Sequence, residues 1–247
     1  MIPNPIRKVL SSMRAHRVHT LLMGGQACVF YGAAEFSRDT DFAILASAAN
    51  LKRLRQALVE LQADVIAVPP CELTYLRRGH AIHFRCQHPE APGMRVDVMS
   101  RMRGVDPFSR LWKRRTTIEL QDGSTCDLLS LPDLVQAKKT QRDRDWPMIR
   151  RLIEAHYFQH RAKPTSAAIT FWLRELRTPA LLLDVAQSHA RVCRQIVVDR
   201  PLLVKAAGGH IDELRQALLD EETAEREKDR RYWLPLRQEL ERVRRAK

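Results

Sequence analysis

Up to about residue 130 the apolar positions come in short runs and alternations; beyond it they settle into helical stripes. Ile6 to Ala15 has the spacing of a short amphipathic helix, and Val18–Met23 is a compact apolar run that predicts a buried strand. A brief helix from Gly25 to Tyr31, stopped by Gly32, leads to a strand over Asp39–Leu45. Leu51, Leu54, Leu58 and Leu61 then recur at helical spacing behind Asn50, the expected cap. Asp64–Val68 reads as a β-branched strand closed by Pro69-Pro70. Further strands are expected at Ala81–Cys86 and Met94–Met99. In the second, Met94, Val96 and Val98 face one way and Arg95, Asp97 and Met99 the other. Thr116–Leu120 and Thr125–Leu129 flank Asp122-Gly123, a tight-turn dipeptide that predicts a hairpin.

From Pro132 onward the pattern is almost wholly helical. Pro164, Pro179, Pro201, Gly208-Gly209 and Pro235 divide it into five or six expected helices. The resulting fold class is α/β (α+β), a mixed sheet flanked by helices over residues 1–130, followed by an all-helical region over 131–247. There is no internal repeat.

Composition sharpens this picture in two places. The apolar share of 45% and the charged share of 29% describe a folded globule rather than a disordered chain. A net charge of +13 favours a polyanionic partner, nucleic acid or a phosphate-rich substrate, although a solvated helical surface accounts for it equally well. Five cysteines, odd in number and widely spaced, predict reduced thiols rather than a disulfide framework. The N-terminal stretch lacks an apolar core of the kind a secretory signal needs. No apolar run approaches the roughly 18 residues of a membrane span. A cytoplasmic protein with no membrane partner is expected.

The candidate chemistry starts at Gly24-Gly25, where the backbone can approach a bulky group such as a phosphate. Asp39 and Asp41 follow, one residue apart, so on a strand they share a face. Two adjacent carboxylates stay ionised at low cost only beside a cation. Asp97, inside the apolar strand Val96-Asp97-Val98, also needs a partner: either the same metal, or a basic neighbour such as Arg95 or Arg101. Leu131, Leu134, Val135, Lys138 and Arg142 form one helical stripe, which turns two cations inward toward an expected anion. Asp145, ahead of Trp146-Pro147, reads as a helix cap or an anchor for Arg142. His80, His83, Cys86 and His88 do not converge as zinc ligands, because His83 points away from the others. Cys28 reads as a small core residue, and the mixed-charge stretch Glu221–Lys247 as a solvated helix or a phosphate-gripping surface.

Leu22-Met23-Gly24-Gly25, a spacer, Asp39-Thr40-Asp41-Phe42 and the later Asp97 resemble the DNA polymerase β-like nucleotidyltransferase superfamily. Gly24-Gly25-Gln26-Ala27, Tyr31-Gly32 and Ser37 look more narrowly like the AbiEii-type nucleotidyltransferases of toxin–antitoxin systems. Leu134-Val135-Gln136-Ala137-Lys138 with Arg142-Asp143-Arg144-Asp145 resembles that family's lysine-bearing helix. The likeness covers about Val18 to Leu152. Glu35 stands where many relatives have arginine, and glycine replaces a common serine. The resemblance implies a nucleotidyltransferase that moves a nucleoside monophosphate from an NTP to an acceptor hydroxyl. Asp39, Asp41 and Asp97 would be its catalytic and metal residues and would hold two Mg²⁺ ions. Gly24, Gly25, Ser37, Lys138 and Arg142 would bind the nucleotide. The acceptor would be RNA (tRNA), a protein or a small molecule, with an antitoxin as a further partner. The other reading is a non-catalytic nucleotide- or nucleic-acid-binding member of the same fold.

Overall fold

The structure, a computed structural model, describes residues 4–120 and 122–245. The chain divides into two units: one runs to Ala137 and takes in the segment from Tyr232 on, and the other is Lys138–Arg231.

In the first unit α1 (Asn4–Ala15) is followed by β1 (Thr20–Met23), α2 (Gly24–Phe30), β2 (Asp39–Ile44), α3 (Ala48–Glu60) and β3 (Ala63–Val65). Then come α4 (Leu73–Arg78), β4 (Ile82–Cys86), β5 (Arg95–Met99), α5 (Phe108–Lys113), β6 (Thr116–Glu119), β7 (Thr125–Leu128) and α6 (Leu131–Lys138). The strands form one seven-stranded mixed sheet in the order β3-β4-β5-β2-β1-β7-β6. β2 pairs parallel with β5 and antiparallel with β1, while β1 pairs parallel with β7. Alternation gives the sheet two unlike faces. Thr40, Phe42 and Ile44 on β2, Val96 and Val98 on β5, and Ile82, Phe84 and Cys86 on β4 are buried on one side. The other side of these three strands carries the polar residues.

Several local expectations need correction. The cap of α3 is Ser47, whose hydroxyl accepts from the Asn50 N–H at 3.2 Å. Asn50 is instead buried, its amide bonded to the backbone of His19 and Leu45, so it ties β1 and β2 to α3. β3 spans Ala63–Val65, in register with β4, and the Ile66 N–H adds one more bond to that strand, donating to the His83 carbonyl at 3.0 Å. The Asp122-Gly123 hairpin forms as predicted, with Gly123 at φ +74 and Asp122 accepting from the Ser124 N–H; Gln121 lies outside the described residues. The short helices α4 and α5 have no counterpart in the sequence-based reading.

The second unit holds α7 (Asp145–His160), α8 (Ser166–Glu175), α9 (Pro179–Ser188), α10 (Ala190–Ile196), α11 (Leu203–Ala207) and the first part of α12 (Ile211–Arg245). Seven helices thus follow residue 130 among the described residues, rather than five or six. Two further breaks, between α6 and α7 and at His189 between α9 and α10, outweigh the one lost at Pro235, which lies inside α12 instead of ending a helix. Proline has no N–H to give to the Arg231 carbonyl, so the helix passes this point with one backbone bond missing. The last 14 described residues, from Tyr232 to Arg245, group with the first unit, so the boundary expected at residue 130 is replaced by a division after Ala137 with a return at Tyr232. Residues 131–137 stay with the sheet for a physical reason: Asp133, buried at the start of α6, takes a two-pronged bond from Arg114 at 2.7 and 2.5 Å and another from Ser130 at 2.6 Å.

Within the second unit a buried ion pair does structural work. Arg200 is forked onto Glu221 at 3.0 and 2.9 Å and donates to the carbonyls of Leu173 and Leu176, which α8 leaves open at its end. Arg177, also buried, lies 4.6 Å from the centre of the Trp146 ring, and burial pushes its pKa down.

Candidate functional site

The polar side of the sheet is assembled by strand register. β2 and β5 run parallel with Asp39 opposite Arg95 and Asp41 opposite Asp97. β4 runs antiparallel on the far side of β5, with His83 opposite Asp97 and Arg85 opposite Arg95. β1, on the other side of β2, sets Met23 opposite Asp41. His83, Asp97, Asp41 and Met23 therefore form one row across four strands. Asp39 and Arg95 fall in the next row of the same face, because side chains two residues apart point the same way. The three aspartates predicted to share a site do share a face.

The glycine turn closes on this row. Gly24 takes φ +67, in the left-handed region, and a Cβ placed on it would collide with the Asp41 carboxylate. Glycine is required twice here, by the backbone angle and by the close approach. A Cβ on Gly25 would lie 2.7 Å from the Ser37 hydroxyl. That hydroxyl in turn donates to the Asp39 carbonyl at 3.0 Å. Gly24, Gly25, Ser37, Asp39 and Asp41 thus form one connected corner at the start of β2.

Asp97 has acquired partners of its own. The Arg95 Nε donates to its Oδ1 at 2.9 Å, and the His83 Nδ1 lies 2.9 Å from the same oxygen. The Arg95 Nη2 is 3.1 Å from that His83 nitrogen. Nδ1 can serve only one of the two neighbours, donating to the carboxylate when protonated and accepting from the guanidinium when bare. Burial pushes the Asp97 carboxyl up, but the bonds from His83 and Arg95 more than offset it and leave its pKa below the usual value. Arg95 is held more firmly charged, first by its bond to Asp97, with Asp39 and Asp41 adding to the effect. Of the two solutions open to Asp97 in the sequence, a metal or a basic neighbour, the structure displays the second, with Arg95 rather than Arg101. His83, which the sequence set apart from the other histidines, is the residue that sequence reasoning left without a role; its outward alternation on β4 was the available signal.

Among the described residues, no three His, Cys, Asp or Glu side chains are drawn together closely enough to hold a metal ion. The three aspartates themselves offer carboxylate oxygens of the kind a hard divalent cation takes, with Asp41 and Asp97 opposite each other on paired strands and the His83 imidazole beside Asp97. The remaining candidates for zinc are dispersed. Cys86 is buried, its thiol pushed up to about 11 by burial, and the His80 Nε2 lies 2.9 Å from Glu239.

Lys138 and Arg142 belong to the second unit. The predicted stripe breaks at Lys138, where α6 ends, so Arg142 lies in the following loop and is exposed. The Lys138 ammonium donates to Asp145 at 2.8 Å, and Thr140 donates to the other carboxylate oxygen at 2.6 Å. Asp145 is thus an anchor for Lys138, not for Arg142. It is already inside α7, not its cap.

The architecture defines a mixed α/β protein: a seven-stranded mixed sheet with flanking helices, a helical unit and a long last helix. No model of a known protein family matches the chain, and no curated protein matches it either. Among the described residues no helix is long and apolar enough to cross a membrane.

Proposed function

We propose that this chain is a metal-dependent nucleotidyltransferase that transfers a nucleoside monophosphate from an NTP to an acceptor hydroxyl. The observation that carries the reading is the row on the polar sheet face: Asp41 opposite Asp97, Asp39 one alternation away, and Gly24 pressed against Asp41. It is joined by the resemblance of Gly24-Gly25 and Asp39-Thr40-Asp41 to the DNA polymerase β-like superfamily. Asp39 and Asp41 would hold divalent magnesium, with Asp97 completing the set once released from Arg95. When bound, magnesium neutralises charge on the triphosphate and lowers the pKa of an attacking hydroxyl. The chain's own part is positioning: Gly24 and Gly25 let the turn close on Asp41 and Ser37, the backbone N–H groups at the start of α2 would meet phosphate oxygens, and Ser37 braces the strand that presents the acids.

The test is direct. Full-length protein is incubated with Mg²⁺, each labelled NTP and total tRNA, and transfer of label is followed. Wild type is expected to label an acceptor, and Asp39→Ala or Asp41→Ala to lower transfer by at least about 100-fold, equivalent to about 2.7 kcal/mol. Absence of transfer to RNA, protein or small-molecule acceptors with every NTP would refute the proposal.

The Arg95–Asp97 bond favours a second reading, a non-catalytic nucleotide- or nucleic-acid-binding protein in which a guanidinium has taken the cation's place. Nucleotide binding without turnover would select it. An RNA acceptor, a toxin–antitoxin setting and an antitoxin partner belong to the proposal through the resemblance and the net charge of +13.

A further inference from the structure

Three carboxylates on one sheet face repel one another, and Arg95 is a positive group bonded to one of them, Asp97, whose Oδ1 the His83 Nδ1 also meets at 2.9 Å. Arg95 is opposite Asp39 in register, on the same face as Asp41, and 2.9 Å from Asp97. Its hold is local: the side chain is 40% exposed, so the guanidinium can leave Asp97 without crossing a packed core. A guanidinium and a divalent ion placed among the same carboxylates compete, since each is attracted by the same negative charge. A guanidinium also offers a planar fork that matches phosphate oxygens two at a time.

Resting on the nucleotidyltransferase reading above, we infer that Arg95 is the resident counter-cation of the aspartate face. Its guanidinium holds Asp97 in the absence of nucleotide, must release that carboxylate for a divalent ion to bind, and then takes up phosphate oxygens of the incoming triphosphate. A free divalent ion must therefore displace Arg95 with nothing to receive it, whereas an ion arriving with a triphosphate brings a new partner for the arginine. Metal and nucleotide load together, and by linkage each strengthens the other's binding by the same factor. Arg95 thereby guards the acids against binding metal unproductively.

Mn²⁺ serves as the probe, its free and bound forms distinguished by electron paramagnetic resonance on full-length protein, with and without non-hydrolysable NTP analogues. Arg95→Gln, which keeps a hydrogen-bond donor for Asp97 but no charge, is expected to bind Mn²⁺ alone about tenfold more tightly than wild type. The enhancement of Mn²⁺ binding by the analogue should shrink by a similar factor. Arg95→Lys keeps the charge and loses the fork. It should bind free Mn²⁺ as weakly as wild type and the analogue about tenfold less tightly. Circular dichroism checks that both variants are folded.

Equal or weaker Mn²⁺ binding in Arg95→Gln, with that binding abolished by Asp41→Ala, would overturn the counter-cation and leave the metal reading standing. Wild-type affinity of Arg95→Lys for the analogue would overturn the phosphate contact. If neither wild type nor Arg95→Gln takes up Mn²⁺, with or without analogue, both the inference and the reading beneath it fall.

Discussion

Gly24 is the most constrained single residue of the candidate site. A side chain there meets two penalties: the left-handed backbone angle, which costs an L-residue about 1–2 kcal/mol, and the Asp41 carboxylate in its path. Gly24→Ala is therefore expected to lower stability by at least about 1 kcal/mol in chemical denaturation and to weaken Mn²⁺ binding along with it. A Gly24→Ala protein with wild-type stability would show that the backbone relaxes cheaply at this turn. The face shared by Asp39 and Asp41 was legible in the sequence because strand alternation obeys a fixed period of two, whereas Asp97 joins it through the pairing of β5 with β2. The partner of Asp97 was not legible either. Period tells which way a side chain points, while the choice among Arg95, Arg101 and a metal depends on distances across neighbouring strands. Asn50 shows the same limit: its residue type suits a cap, yet its amide is bonded to the backbone of His19, just ahead of β1, and of Leu45, just after β2.

Elements were recognised where local periodicity is strong, and missed or lengthened where tertiary pairing sets their ends. The stripe from Leu131 to Arg142 looks continuous at helical spacing, but α6 stops at Lys138, whose ammonium and the nearby Thr140 both bond to Asp145 in the next helix. Between α7 and α8, the Trp172 indole N–H donates to the His156 Nδ1 at 2.9 Å, with the His160 ring 4.5 Å from that of His156. This contact requires a neutral His156. Burial, then the neighbouring His160, lowers its pKa below the usual value of about 6.5. The unfolded chain takes up a proton near pH 6.5 while the folded chain resists, so stability is level above that pH and falls as pH drops below it toward the folded pKa. His156→Gln, which retains an acceptor for the indole but does not titrate there, should flatten this part of the fall in melting temperature between pH 7 and 5. Parallel curves for wild type and variant would remove His156 from the pH response.

For the whole molecule, chain order and structural grouping differ. The segment from Tyr232 on belongs with the N-terminal sheet unit. Glu239 reaches back to Arg78 and to the fully buried His80, and these two hold its carboxyl below the usual range. Ending the chain after Arg231 should therefore expose residues 73–86 to faster amide exchange and cost the first unit about 1–3 kcal/mol, the penalty for stranding a buried polar group. Unchanged exchange there would mean that the terminal segment is dispensable to the sheet. α12 carries no basic surplus: its nine arginines and lysines stand against ten carboxylates, and Arg226, Lys228, Arg230 and Arg231 pair with glutamates three or four residues away. The net charge of +13 therefore comes from the rest of the chain and is no argument for a nucleic-acid surface on this helix.

Hydrophobic period, turn chemistry and the Asp-x-Asp spacing were enough to establish a mixed α/β region followed by helices, and the common orientation of Asp39 and Asp41, because each follows from geometry repeated every few residues. The order of the strands, the arginine among the aspartates, the end of α6 and the return of the last helix to the first unit arise from contacts between residues far apart in the chain. Those contacts are chosen by packing and by the need to satisfy buried charge, and no local pattern encodes them.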